Sequence, residues 1–251
     1  MAKLTETVKH LIIINVLFFV ATYILKSRGV DLEQYFALFF IKNPLFQPWQ
    51  FVTTMFMHAN VNHILFNMLA LWMFGSPLEE MWGKNKFLFF YFSAGIGASL
   101  IYTLANYLQF QPTFNALLSG GLQESEIFKI LSTGQYDTSI LEFVSAESLT
   151  SLYQTFNTPA VGASGAIMGL LVGFGMLFPN SELMLLFFPV PVKAKYFIPV
   201  LIGLDVFSGL TGVSIFSPGN TAYWAHIGGA LIGLLIMLYW KRTQFDKNRW
   251  N

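Results

Sequence analysis

The chain has 251 residues, of which 55% are hydrophobic and only 11% are charged. A single water-soluble domain of this length could not bury so much apolar surface, so the composition predicts a membrane protein. The net charge of +1 lacks the basic excess of nucleic-acid-binding proteins, and the absence of Cys excludes disulfides, thiol catalysis and zinc–thiolate sites.

Six apolar segments follow one another along the chain, at 10–25, 63–82, 87–108, 160–178, 196–216 and 222–240. Crossing a bilayer takes about 20 mostly apolar residues, or somewhat fewer where the membrane thins. The first segment has no small-residue cleavage site and is followed by Lys26 and Arg28, so we interpret it as a span and not as a signal peptide. The sequence therefore predicts an all-α membrane protein with six transmembrane helices in a single domain over 1–251.

The distribution of Lys and Arg predicts the orientation of these spans. If the N-terminus is cytoplasmic, only four of the 14 Lys and Arg residues fall on outer segments: Lys26, Arg28, Lys42 and Lys129. Because Lys and Arg are enriched on the cytoplasmic side of membrane proteins, we expect both termini in the cytoplasm.

Two connections between spans are unusually apolar or long. Residues 35–41 (YFALFFI) are too few to cross the membrane and too apolar for open water, so they either lie in the membrane interface or pack against the bundle. The outer loop 109–158 contains amphipathic fragments bounded by glycines. It could cover a site or contact a substrate, and the sequence favours neither role.

Polar residues occur near the outer ends of the second, fourth and sixth spans. Ser164 and His226 each lie about five residues inside their spans, or roughly 6 to 8 Å below the outer surface, so they can meet. His63 and Asn67 are spaced i, i+4 and project from one face of the second span.

Glycine stripes would allow the fourth and sixth spans to pack backbone to backbone. They consist of Gly165, Gly169 and Gly173 on the fourth span, and of Gly229 and Gly233 on the sixth. Alone, such stripes indicate only helix packing. His226 shares the stripe of Gly229, however, and close packing would bring its imidazole within hydrogen-bond reach of Ser164.

These residues are sufficient for nucleophilic catalysis. A serine hydroxyl is a weak nucleophile until a positioned base accepts its proton, and His226 can be that base. The oxyanion formed on attack at a peptide carbonyl needs donors, for which His63, Asn67 and the backbone N–H of Ser164 are available. Taken singly, a membrane serine usually bonds its own helix backbone and an interfacial histidine usually anchors the helix, but the four together favour an active site.

Several motifs occur together between Trp49 and Trp240. They are Trp49, HANVNHILFNM at 58–68, Gly75 with Glu79 and Gly83, GASG at 162–165 and AHIGG at 225–229. In this combination the sequence resembles the rhomboid intramembrane serine proteases. The resemblance implies that Ser164 is the nucleophile, His226 the general base, and His63 with Asn67 the side-chain part of the oxyanion hole; it implies supporting roles for His58, Gly162, Met168 and Gly229.

The resemblance also implies a fold and a substrate class. The rhomboid fold is a six-helix bundle with a first loop partly embedded in the membrane and a water-filled site that opens outward. Rhomboids cleave single-pass membrane proteins near the outer membrane face, where a helical peptide bond must unwind before attack. No cofactor and no metal are implied, and a minimal six-span form without a transit peptide is typical of a bacterial inner membrane protein.

Three departures from the family pattern are visible. Trp49 is usually followed by Arg, but here by Gln50, so a charge-assisted bond that stabilises the first loop is missing or replaced. Four residues after the serine the family commonly has Tyr or Phe, whereas this chain has Met168, which would constrain an imidazole less well. The outer loop 109–158 is long for a minimal bacterial member.

We predict structural roles for two carboxylates within the predicted spans. Asp205 lies near the middle of the fifth predicted span, about 15 Å below the surface. This depth would place it well beneath the proposed catalytic dyad of Ser164 and His226, and it favours a structural hydrogen bond. Glu79, near the cytoplasmic end of the second span, is expected to satisfy helix ends and loops.

Two other classes of function, and a metal site as a weaker alternative, remain open from the sequence. A transporter would need paired charged groups through the whole bilayer, whereas the polar residues of these predicted spans are concentrated near one face. A catalytically inactive rhomboid-like protein would bind membrane helices without cutting them, although such relatives lack the serine or the histidine. A metal site formed by His58, His63 and His226 would lack a carboxylate partner at that depth.

Overall fold

The computed structural model describes residues 3–185, 188–213 and 222–243, and it is mostly helical. Its α-helices in chain order are α1 (Glu6–Lys26), α2 (Glu33–Phe36), α3 (Gln50–Thr53), α4 (Val61–Ala70), α5 (Ser76–Trp82), α6 (Lys84–Ser119), α7 (Glu124–Thr133), α8 (Ala146–Asn157), α9 (Ser164–Leu177), α10 (Ala194–Thr211) and α11 (Ala222–Thr243). Two 3-10 helices (Thr54–Phe56 and Thr138–Glu142), a π-helical turn (Leu71–Gly75) and an antiparallel strand pair, β1 (Glu182–Leu185) with β2 (Phe188–Lys193), complete it.

Within the described residues, four helices are long and apolar enough to cross a membrane: Glu6–Lys26, Lys84–Ser119, Ala194–Thr211 and Tyr223–Thr243. The second predicted span, 63–82, is a run of α4, the π-helical turn and α5. The fourth, 160–178, shortens to the 14-residue helix α9, because residues 159–163 are not helical. Most of α9 is buried, and it packs against α6, α10 and α11, so it lies at the centre of the bundle.

Glu79 ties the start of α1 to the core. Its carboxylate accepts hydrogen bonds from the backbone N–H groups of Thr7 and Val8, both at 3.0 Å, and from the Thr5 hydroxyl. The first N–H groups of a helix have no partner within the helix, so a carboxylate placed there satisfies them and interacts favourably with the helix dipole. The prediction that Glu79 satisfies a helix end is confirmed.

The predicted outer loop 109–158 consists largely of helices. The third predicted span continues without a break from Leu108 to Ser119, and α7 and α8 pack against this extension. The extension repeats apolar residues at helical spacing, and these form a second core with the two helices; it includes Phe110, Phe114, Leu117, Ile127, Leu131, Leu152 and Phe156. We name this unit, residues 109–158, the outer cap, after the side of the membrane that the sequence predicts for it.

The first loop, between α1 and α4, packs mainly against protein. Ala37, Leu38, Phe39 and Phe40 are buried, and Phe40 belongs to the core of the outer cap. Of the two interpretations of residues 35–41, packing therefore describes these four, while Tyr35 and Ile41 remain exposed.

Gln50 holds the first loop in the place where the family usually has Arg. Its side chain is fully buried; Oε1 accepts from the N–H of Phe39 at 3.2 Å, and Nε2 donates to the carbonyl of Leu45 at 2.8 Å. The charge-assisted bond is thus replaced by neutral amide bonds, which avoid the cost of burying a guanidinium.

Candidate active site

Ser164 is the first residue of α9, not a residue about five positions inside a helix as the sequence predicted. The chain approaches it in an extended segment that is bound to the first loop at two points. Leu38 and Ala160 exchange backbone hydrogen bonds, and the N–H of Gly162 donates to the carbonyl of Thr54 at 2.9 Å. These contacts hold the turn that ends at the serine.

Gly162 is required for this turn. Its φ of +126° is one that L side chains rarely adopt, and a Cβ there would lie 2.8 Å from Nε2 of His63 and 3.7 Å from Oγ of Ser164. Only a residue without a side chain allows His63 and Ser164 to flank this position so closely.

The start of α9 presents backbone donors beside the serine hydroxyl. The first backbone bond of the helix runs from the N–H of Ile167 to the carbonyl of Ala163, so the N–H groups of Ser164, Gly165 and Ala166 have no partner within the helix. Together with the helix dipole, such groups favour negative charge, which is the requirement of an oxyanion.

His226 reaches Ser164 because α9 and α11 touch through glycines. A Cβ at Gly229 would collide with the carbonyl oxygen of Gly165, so the two backbones are in direct contact there. One turn before Gly229, Nε2 of His226 lies 3.0 Å from Oγ of Ser164. The arrangement is that of a nucleophile and its base.

Asp205 contacts the other side of the same imidazole, which corrects the sequence-based placement. Its Oδ2 lies 3.1 Å from Nδ1 of His226, so it is level with the dyad and not well beneath it. The error came from the end of the fifth span: α10 ends at Thr211, before the left-handed Gly212, and not at 216. Asp205 is then about 9 Å from the end of α10, and His226 about 6 Å from the start of α11. Glycine as a helix-terminating signal could have revealed this.

His63 and Asn67 lie on α4 as predicted, but their side chains have different hydrogen-bond partners. Nδ1 of His63 accepts a long bond from the N–H of Ala59 at 3.4 Å, and its Nε2 faces Gly162 beside Ser164. Asn67 is buried, and its Nδ2 donates to the carbonyl of His63 at 2.9 Å, within its own helix. One amide hydrogen of Asn67 is thereby used, and the second is left for another acceptor.

His58 precedes α4 and is 3% exposed. Its ring lies edge-on to that of His63, with 5.2 Å between the centroids. Burial, and secondly the charge of a protonated His63, lower the pKa of His58 from 6.5 to about 4, so its ring is neutral at physiological pH. It supports His63 by packing.

A cavity of about 130 Å³ adjoins Ser164 on the side of α6. It is bounded by the first loop, by residues 159–162 and by α6, with polar groups from Thr54 and Ser99. This volume is large enough for several water molecules. Met168, one turn beyond Ser164 on α9, is 5% exposed and belongs to the main core.

Among the residues that the structure describes, no group of three or more His, Cys, Asp or Glu side chains is arranged to hold a metal ion. His58, His63 and His226 therefore form no ligand cluster within these ranges.

A family model described as the rhomboid domain matches residues 45–121 and 127–243. The chain belongs to the rhomboid family. The match includes α4, α9, α10 and α11, and thus every element that contributes a side chain to the candidate active site.

Individual relatives are similar over most of this chain. The rhomboid protease AarA of Providencia stuartii is 29% identical over 76% of the chain and 55% of its own length. Rhomboid protein 1, mitochondrial, of Saccharomyces cerevisiae is 28% identical over 73% of the chain and 39% of its own length. The human presenilin-associated rhomboid-like protein, mitochondrial, is 25% identical over 95% of the chain and 51% of its own length.

The chain thus spans about half the length of these relatives. Two of the three are named as mitochondrial proteins, which conflicts with the expectation of a bacterial inner membrane. All three relatives carry the rhomboid name, and the described part of this chain is that of a membrane protein with apolar helices.

Proposed function

We propose that this rhomboid protein is an intramembrane serine endopeptidase that hydrolyses peptide bonds in or near transmembrane segments of single-pass membrane proteins. The observation that carries the proposal is the 3.0 Å contact between Nε2 of His226 and Oγ of Ser164 at the N-terminus of α9. An inactive rhomboid-like binding protein would have no need of this contact.

In this mechanism Ser164 and His226 share the proton transfers. As Oγ of Ser164 bonds to the scissile carbonyl carbon, its proton passes to Nε2 of His226. The imidazolium then gives that proton to the leaving amine nitrogen as the C–N bond breaks. Water from the adjoining cavity, deprotonated by His226, hydrolyses the acyl-enzyme and regenerates the serine.

Donors around Ser164 would stabilise the oxyanion. The backbone N–H groups at the start of α9 are free of intrahelical bonds, Nε2 of His63 lies beside Gly162, and Asn67 has one amide hydrogen available. Removing one such donor typically costs about a hundredfold to a thousandfold in rate.

The proposed topology has six spans with both termini in the cytoplasm. The continuous helical run from Val61 to Trp82 would be the second span, and the short helix α9 the fourth, surrounded by other helices and shielded from lipid. The outer cap and Ser164 then lie toward the outer face. Exposed Tyr35, Ile41 and Trp49 would let the first loop contact lipid at that face.

The test is cleavage of a single-pass reporter by purified protein in liposomes. We expect the wild type to release the soluble half of the reporter and Ser164→Ala to release none. Ser76→Ala, a change to a fully buried serine on α5, is the matched control and should cleave normally. Cleavage by Ser164→Ala at the wild-type rate would refute the proposal.

A further inference from the structure

The carboxylate of Asp205 is an unusual feature of α10. This helix is otherwise an apolar candidate span, and a charged group inside a span is costly unless it is paired. The side chain of Asp205 is 18% exposed and that of His226 is 19% exposed. Among the described residues, His226 is the only hydrogen-bonding or ionic partner of Asp205.

The packing of α10 against α11 brings this pair together. Gly209, one turn after Asp205, approaches α11 so closely that a Cβ there would lie 3.3 Å from the rings of both Tyr223 and Trp224. Asp205 and Gly209 share one face of α10 because they are spaced i, i+4. The face that meets α11 therefore carries Asp205 at the level of His226.

Asp205 and Ser164 contact opposite nitrogens of one imidazole. The distances are 3.1 Å from Asp205 Oδ2 to Nδ1, and 3.0 Å from Ser164 Oγ to Nε2. A carboxylate accepts but cannot donate, so a bond at this distance requires the proton on Nδ1. The lone pair of Nε2 is then directed toward the serine hydroxyl, which is the tautomer that a general base needs.

We propose that Asp205 is a positioning residue that completes a Ser164–His226–Asp205 triad, an inference that rests on the proposed protease function. Asp205 fixes the orientation and tautomer of His226 and stabilises the imidazolium that forms when Nε2 takes the serine proton. It contacts the imidazole and not the reacting atoms.

Asp205→Asn separates this role from simple packing, since the amide has nearly the shape of the carboxylate but carries no charge. The measurements are kcat and KM for the reporter in liposomes, the rate of fluorophosphonate labelling, and the thermal unfolding midpoint in detergent. We expect kcat and the labelling rate to fall by roughly 10- to 1,000-fold, with KM and the unfolding midpoint near those of the wild type.

Two further variants make the result decisive. Asp205→Ala, which removes the contact, should lower kcat at least as much per folded molecule. Ser208→Ala, a change to a buried residue one turn further along α10, should leave kcat and KM unchanged. Wild-type kcat in Asp205→Asn, or a lower unfolding midpoint with an unchanged kcat per folded molecule, would overturn the triad and leave Asp205 a structural residue.

The Ser164→Ala variant distinguishes failure of the triad from failure of the protease proposal. If Ser164→Ala is inactive and Asp205→Asn cleaves at the wild-type rate, only the inference about Asp205 is wrong. If Ser164→Ala itself cleaves, the proposed function fails and the triad fails with it.

Discussion

His58 precedes α4 and lies outside the candidate spans, and its burial links its charge state to the stability of the protein. Its pKa is about 4 in the folded protein, against an ordinary value of 6.5. Between these values the unfolded chain binds a proton at this position and the folded protein does not, so stability falls as the pH drops through this window. Above pH 6.5 the ring is neutral in both the folded and the unfolded state, so this loss of stability is absent.

We therefore predict an acid-dependent loss of stability of up to about 3 kcal/mol from His58 alone. The measurement is the free energy of unfolding in detergent at about pH 7.5 and about pH 4.5, for the wild type and for His58→Gln. The variant should lose less stability on acidification. Equal losses in the two proteins would show that His58 does not stay neutral in the folded state.

At the residue scale, the sequence predicted the chemistry of Ser164 and His226 because each residue is costly to place in an apolar helix without a purpose. It did not predict the contact between Asp205 and His226, since the depth of a residue depends on where its helix ends. The replacement of Arg by Gln50 was visible, but its buried amide bonds to Phe39 and Leu45 depend on the folded loop.

At the element scale, the glycine stripes control the distance between α9 and α11. Gly229 has no room for a Cβ because the carbonyl of Gly165 occupies that space, whereas a Cβ at Gly203 on α10 would meet nothing within 4 Å. The two positions are a matched pair: the same substitution adds the same methyl group, once between helices and once into open space.

We predict that Gly229→Ala destabilises the protein by about 1 to 3 kcal/mol, because the added methyl group must push the helices apart. Reporter cleavage per folded molecule should also fall, since His226 moves away from Ser164. Gly203→Ala should be neutral or slightly stabilising, because Ala favours a helix more than Gly does. Unfolding midpoints and cleavage rates measure both effects, and an unaffected Gly229→Ala would contradict the close packing.

Element boundaries were predicted less well than element identity. Apolar periodicity located the segments, but it missed the start of α9 at Ser164 because residues 160–163 are as apolar as the helix that follows. It also ended the third helix near Leu108, although Phe110, Phe114 and Leu117 continue its apolar face into the outer cap. The residues of α6 beyond Leu108 pack against α7 and α8.

At the scale of the whole molecule, the buried apolar side chains of the described residues form two cores. The main core surrounds α9, and the second core lies in the outer cap, where Phe40 joins the first loop to it. The side chain of Asn43 strengthens this junction, since its Nδ2 donates to the carbonyl of Phe156 at 2.7 Å. The first loop therefore connects the outer cap to the segment that leads into Ser164.

We expect Ser164 to be an activated nucleophile that is accessible from the outer face of the membrane. The most direct measurement applies a membrane-impermeant fluorophosphonate to sealed vesicles of either orientation and maps the labelled residue by mass spectrometry. We predict a label on Ser164 only when the outer face is exposed, and no label on the His226→Ala variant. A label on another residue, labelling from the cytoplasmic face, or an unlabelled Ser164 in protein that still cleaves its reporter would contradict it.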